Sequence, residues 1–139
     1  MASRLKTGRG FTRQRGFTLL EMMIVMIIMG ILLSIALPIY TQAVVRAREA
    51  VLRNDLFELR KLISQYTLDK QKAPQSLDDL VQAGYLKELP KDPMTRESNW
   101  EPKMEENVIS SPDQQDAGID DVHSASNLTS SDGTAYSTW

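Results

Sequence analysis

Glu21 is the residue with the clearest chemical role, because it is an acid that lies four residues into the apolar run of residues 17–37. A carboxylate at the centre of a membrane helix costs about 2.5–3.5 kcal/mol on insertion scales. Either a positive partner offsets that cost, or the side chain extends to the membrane surface. Glu21 therefore predicts either a charge-pairing site in an apolar environment or a carboxylate at the interface.

A second set of polar side chains lies near the C-terminus, in a stretch rich in Asp, Ser and Asn. Oxygen-rich loops of this kind can hold calcium, and Asp121, Ser124 and Asp132 are the candidate ligands. The alternative is a solvated acidic loop without a metal. The chain has no cysteine, which excludes disulfides and thiolate catalysis. With the single histidine His123 and no phosphate-binding loop, the sequence predicts a protein that is not an enzyme.

Charge is distributed unevenly along the chain. Residues 1–16 contain five basic residues and no acid, while the rest of the chain carries 11 basic and 18 acidic residues, a net charge of −7. A basic head, an apolar run and an acidic body are typical of an exported or membrane-anchored protein. A nucleic-acid partner is not predicted, since it would need basic residues on the folded part.

The apolar run is long enough to cross a bilayer. As a helix, 21 residues span roughly 30 Å, which is the thickness of the hydrocarbon core. A secretory signal peptide is the alternative, but its apolar region has only about 7–15 residues. The basic residues before the run place residues 1–16 in the cytoplasm by the positive-inside rule. The chain after Leu37 is then expected on the far side of the inner membrane.

Residues 15–21, RGFTLLE, resemble the cleavage and methylation signal of the type IV pilin superfamily. The resemblance implies that a prepilin peptidase cuts between Gly16 and Phe17 and methylates the new amine of Phe17. It also implies that Glu21 pairs with the Phe17 amine of an adjacent subunit, so that the protein forms a filament in contact with membrane lipid. Gly30 and Pro38 are expected to give the helix flexibility when a subunit leaves the membrane, or to form a simple kink.

Beyond the membrane, apolar residues recur at helical spacing and predict a spine helix that ends near Lys70. The predicted face consists of Val45, Leu52, Leu56, Leu59, Ile63 and Tyr66. A short helix is predicted to follow with Ser76 as its N-cap and Gly84 just past its end. A hairpin within residues 100–109, a third strand at 119–124 and packed aromatic residues Tyr136 and Trp139 complete the prediction.

Residues 84–93, GYLKELPKDP, resemble the stretch that follows the spine in major pseudopilins of type II secretion. The resemblance implies an α+β pilin-like fold, with a long N-terminal helix packed on a small antiparallel β-sheet. Major pseudopilins commonly bind calcium in a glycine-rich C-terminal loop, but the corresponding residues 124–133 read SASNLTSSDG. The calcium expectation therefore stands on a loop that departs from the family pattern.

Four segments are expected: a cleaved leader (1–16), a transmembrane and assembly helix (17–38), an amphipathic spine (39–72) and a small globular domain (73–139). The resemblance implies a single-pass inner-membrane protein with a periplasmic C-terminal domain, assembled into a periplasmic filament that exports folded proteins. Its expected partners are copies of itself, other pseudopilins, the prepilin peptidase, the inner-membrane assembly platform and its ATPase. The alternatives are a type IV or minor pilin of a surface fibre for adhesion, motility or DNA uptake, and a signal-anchored periplasmic enzyme or binding protein.

Overall fold

The structure, a computed structural model, describes residues 16–105 and 117–139. Its main element is helix α1, Leu19–Lys70. Helix α2 (Asp78–Gln82), strand β1 (Glu101–Met104), strand β2 (Ile119–His123) and a 3₁₀ turn at Tyr136–Thr138 follow in chain order. The chain divides into two compact units, Met1–Ile39 and Tyr40–Trp139, and the boundary falls within α1.

In the first unit, every side chain from Gly16 to Ile39 is exposed. Among the described residues, one helix is long and apolar enough to cross a membrane, and its apolar window lies near the N-terminus. Pro38 lies inside α1, and the helix continues through it to Lys70. The predicted membrane-spanning segment, residues 17–38, is thus helical from Leu19 onward.

The second unit has a core built on one face of α1. Five positions of the predicted stripe are buried, and they form one core cluster with residues of α2, β2 and the 3₁₀ turn. The buried apolar positions of α1 are Leu52, Leu56, Leu59, Ile63 and Tyr66. Val45 keeps the same spacing but is 41 % exposed. Periodicity thus predicted the face correctly, although it does not show how far along the helix the core extends.

Helix α2 begins later than the sequence predicted. Its N-cap is Leu77, and no side chain caps it, so the prediction of Ser76 as the N-cap is wrong. Instead, the carboxylate of Asp79 accepts hydrogen bonds from the backbone amides of Gln75 (2.8 Å) and Ser76 (3.0 Å). Gly84 follows the helix with φ of 84°, the left-handed conformation that terminates helices, as predicted.

Strands β1 and β2 pair antiparallel, with Glu101 opposite His123 and an irregularity between Lys103 and Met104. The predicted strand at 119–124 is confirmed as β2. Of the hairpin predicted within residues 100–109, β1 is observed and residues 106–109 lie outside the described residues. The described sheet therefore has two strands. Together with α1 it confirms the α+β pilin-like arrangement.

The C-terminal aromatic residues are packed, as predicted. Tyr136 is 3 % exposed and belongs to the core, and Trp139 packs against that core. Their rings meet edge to face with centroids 5.1 Å apart. This geometry is favourable for aromatic pairs, so the segment is tied to the domain rather than free.

Candidate assembly and processing site

The predicted processing residues lie just before α1. Gly16, Phe17 and Thr18 are not helical, and the helix begins at Leu19. The Thr18 hydroxyl oxygen accepts a hydrogen bond from the Glu21 backbone amide at 3.2 Å. Thr18 thus satisfies one of the amides that every helix start leaves without a partner. The spacing Thr-x-x-Glu, typical of helix starts, could have revealed this role in the sequence.

Glu21 lies in the first turn of α1, where the helix dipole favours a negative charge. Among the described residues, no hydrogen bond or ion pair engages its carboxylate. Phe17 precedes it by four residues and is 77 % exposed. The arrangement presents an acid and an aromatic residue on an apolar helix end, where a neighbouring molecule can reach both. Pairing of Glu21 with a neighbour's amine stays a prediction.

The two predicted flexibility residues both lie within the continuous helix. Gly30 has open space around the position a Cβ atom would take, so no contact requires glycine there. Pro38 cannot donate the backbone hydrogen bond that other helical residues donate. Both residues weaken the helix locally, which agrees with the predicted role without testing it.

The three predicted calcium ligands contact three different sets of partners. Asp121 forms an ion pair with Arg60, with 2.5 Å between Oδ1 and Nε. The Ser124 hydroxyl is buried and donates a hydrogen bond to the carboxylate of Asp92. Asp132 accepts hydrogen bonds from the hydroxyls of Ser130 and Thr134. The described part of the chain has no group of three or more His, Asp or Glu side chains placed to hold a metal ion.

These contacts also set the ionisation of the two aspartates. Hydrogen bonds from the hydroxyls of Ser130 and Thr134 lower the pKa of Asp132 to about 2. Burial alone would raise the pKa of Asp121, but the Val122 amide and the Arg60 guanidinium bring it below its usual value. Both carboxylates are charged at neutral pH and already have partners. Calcium binding stays a prediction, and these contacts do not support a cation shared by all three residues.

His123, the single histidine of the chain, is half-buried beside the C-terminal residues. Its Nδ1 lies 2.5 Å from the backbone oxygen of Trp139. Its Nε2 lies 3.4 Å from Oδ2 of Asp121. The ring therefore joins β2 to the end of the chain, which is a structural contact.

One buried acid of the spine, Glu49, was not predicted from the sequence. Glu49 is not part of the predicted apolar stripe, but it is only 5 % exposed. Its position three residues before Leu52 places it at the edge of the buried face. Spacing could have drawn attention to it, whereas its partners come from residues more than 80 positions away.

The helix and the segment before it define a class of protein, namely type IV pilin-like subunits with a membrane anchor. Residues 11–37 match the family described as the prokaryotic N-terminal methylation motif. The chain is 35 % identical over 101 residues to the type II secretion system core protein G of Escherichia coli (strain K12), covering 61 % of this chain and 70 % of that protein. It is 36 % identical to the Klebsiella pneumoniae protein of the same name, over 58 % of this chain and 69 % of the relative.

The chain therefore belongs to the family of the type II secretion system core protein G, the major pseudopilins. A relative outside secretion is the competence protein ComGC of Halalkalibacterium halodurans, 38 % identical over 55 % of this chain and 74 % of that protein. The comparison with solved structures gave no match.

Proposed function

We propose that the chain is a structural subunit of a type II secretion pseudopilus, a filament assembled from the inner membrane to drive the export of folded proteins. The observation that carries this proposal is the 35 % identity to core protein G of Escherichia coli over 61 % of this chain, together with the methylation motif at residues 11–37. A subunit of this kind acts by assembling and has no need of a catalytic site.

The proposed processing and assembly use the start of α1. The peptidase cuts between Gly16 and Phe17 on the cytoplasmic side and methylates the Phe17 amine. The inner-membrane platform and its ATPase then add the subunit to a periplasmic filament. Glu21 pairs with the Phe17 amine of the adjacent subunit, because a charge in an apolar environment is far less costly when paired. That pairing fixes the axial position of each subunit.

The test compares two substitutions of the same kind in a host that lacks the native gene. Glu21→Leu removes the proposed pairing residue, and Glu58→Leu changes an exposed glutamate elsewhere on α1. We expect both proteins to be cleaved and methylated, as read by mass spectrometry of the N-terminal peptide. Filaments and secreted enzyme in the medium should be lost for Glu21→Leu and retained for Glu58→Leu.

Three results would contradict the proposal. Normal secretion by Glu21→Leu would reject the pairing mechanism. Normal secretion by a host without the gene, together with loss of DNA uptake, would favour a competence filament, in line with the similarity to ComGC. A Gly16→Leu variant that keeps its leader and still functions would show that the N-terminus is only an anchor.

A further inference from the structure

The buried acid Glu49 connects α1 to the last residues of the domain. Its carboxylate accepts hydrogen bonds from the backbone amide and the hydroxyl of Ser131, both at 2.6 Å. It accepts a third from the hydroxyl of Tyr136 at 2.9 Å. One side chain of the spine therefore holds two points of the C-terminal segment, five residues apart.

These hydrogen bonds explain how a carboxylate can be buried at this position. An ionised acid without partners is strongly unfavourable in a protein interior. Here the Ser131 hydroxyl bond lowers the pKa of Glu49, burial opposes that shift, and the Ser131 amide and Tyr136 hydroxyl reinforce it. Because the pKa is lowered overall, Glu49 is charged at neutral pH. Hydrogen bonds to a charged acceptor are about twice as strong as those between neutral groups.

Two arginines continue the same edge of the helix. Arg53 and Arg60 follow Glu49 by four and eleven residues, a spacing that keeps all three on one side of α1. We name Glu49, Arg53 and Arg60 the polar row. It lies beside the buried apolar stripe, and each of its members contacts the chain after β1.

Arg53 contacts the segment close to its end. Its Nη2 lies 3.2 Å from Oδ2 of Asp132. Its guanidinium carbon lies 4.2 Å from the centroid of the Trp139 ring, which is a cation–π contact. Since Asp132 is the residue next to Ser131, Arg53 and Glu49 hold neighbouring positions of the same turn.

Arg60 makes the third connection. Besides its ion pair with Asp121, its Nη2 donates to the backbone oxygens of Val122 at 3.0 Å and Trp139 at 2.9 Å. A planar guanidinium can hold several acceptors at once, which a lysine at this position could not do with the same geometry. Arg60 thus joins β2 and residue 139 to the spine.

The segment that the polar row contacts has little regular structure of its own. Between residues 124 and 139 there is one isolated bridge, Thr129 with Ala135, and one short 3₁₀ turn. Such a segment stays ordered only where other groups hold it. Oxygen-rich loops can be ordered by a bound cation, but here the spine already supplies both charges and hydrogen bonds.

We propose that the polar row fastens residues 124–139 to α1 in place of a divalent cation, and that its buried member Glu49 contributes most. The acid holds the turn at Ser131 and the buried Tyr136. The arginines neutralise Asp132 and Asp121, the two acids that a cation would otherwise neutralise. The proposal concerns folding within one subunit and does not depend on the proposed function.

The test uses full-length protein in detergent micelles. Glu49→Ala removes the acceptor from three donors, and Glu58→Ala makes the same change at an exposed position of α1. We expect Glu49→Ala to lower the Tm by roughly 5–15 °C and Glu58→Ala to leave it unchanged. Hydrogen exchange read by mass spectrometry should become at least about tenfold faster in residues 128–139, with a smaller change in residues 52–66.

A second variant covers the case in which Glu49→Ala does not fold. Glu49→Gln keeps the shape and one acceptor oxygen but removes the charge. We expect it to fold, with a smaller fall in Tm and faster exchange confined to residues 128–139. An unchanged Tm and unchanged exchange in Glu49→Gln and Glu49→Ala would overturn the proposal.

Adding and removing calcium tests whether the polar row takes the place of a divalent cation. Wild-type Tm should be the same, within error, in millimolar calcium and in excess EDTA. A Tm that rises with calcium and saturates would overturn the proposal and support the site predicted at Asp121, Ser124 and Asp132. Secretion assays have no part in these measurements, so failure here leaves the proposed function untouched, and the reverse also holds.

Discussion

The two halves of α1 belong to one helix but differ in what surrounds them. From Leu19 to Ile39 every side chain is exposed, whereas from Glu49 to Tyr66 one face is buried by the rest of the domain. The second half therefore obtains tertiary stability within its own chain. The first half has apolar side chains on all sides, which suits lipid or neighbouring subunits. The half of α1 that packs within its own chain is thus distinct from the half for which we propose a role in assembly.

The largest expected effect is a difference in stability between two leucine-to-alanine substitutions, one in each half of α1. Leu56→Ala opens a cavity in the core, because Leu56 is 2 % exposed, and should lower the free energy of unfolding by about 2–5 kcal/mol. Leu33→Ala removes a side chain that is 55 % exposed and should change it by less than about 0.5 kcal/mol. Urea unfolding of the full chain in detergent, followed by tryptophan fluorescence, measures both. Equal losses of unfolding free energy in the two variants would contradict the difference between the two halves of α1.

Low pH should destabilise the second unit and leave the helix of the first unit formed. The lowered pKa values of Glu49, Asp121 and Asp132 mean that the folded state binds protons less readily than the unfolded chain. Their stabilisation is complete above the unfolded pKa values of about 4 and is lost as pH falls through the lowered values. Asp55 acts in the opposite direction, since burial and nearby Asp92 raise its pKa.

We therefore expect the Tm of the domain to fall between about pH 5 and pH 2. Detergent should keep the apolar helix formed over this range, because its surroundings do not titrate. Near-ultraviolet circular dichroism follows the domain, and far-ultraviolet helical signal that survives domain unfolding reports the apolar half. Glu49→Gln should show a shallower decline than the wild type. A Tm independent of pH would contradict the assigned pKa directions.

The smallest expected effect is a change in local helix stability at Gly30, within the apolar half of α1. Gly30→Ala fits without a clash and should favour the local helix by up to about 1 kcal/mol. Amides near residue 30 should then exchange up to about fivefold more slowly in detergent, while the domain Tm stays the same. Slower filament formation by this variant would support the predicted need for flexibility. A changed domain Tm would show that the two units are coupled.

How far the sequence predicts the structure depends on the range of the contacts. The spacing of Leu52, Leu56 and Leu59 is local information, and it identified the buried face correctly. The N-cap of α2 was misplaced by one residue: Asp79 binds the amides of Gln75 and Ser76, and the cap position falls at Leu77. Capping preferences alone cannot choose between these arrangements.

For the candidate site, too, local features were predictable from the sequence and long-range contacts were not. Gly16, Phe17 and Glu21 belong to one short motif, so local sequence placed them at the helix start. Glu49 was missed because its partners Ser131 and Tyr136 are 82 and 87 residues away. The aspartates near the C-terminus looked available for a metal because nothing in the sequence shows that arginines of the spine reach them.

The start of α1 at Leu19 has a consequence for the leader. The bond between Gly16 and Phe17 lies in non-helical chain, two residues before the first helical position. Proteolytic enzymes grip their substrates in extended form, and an α-helix must be unwound before it can enter their clefts. Thr18 caps α1 and the bond proposed for cleavage lies before it, so no turn of α1 would have to be unwound for a peptidase to reach that bond.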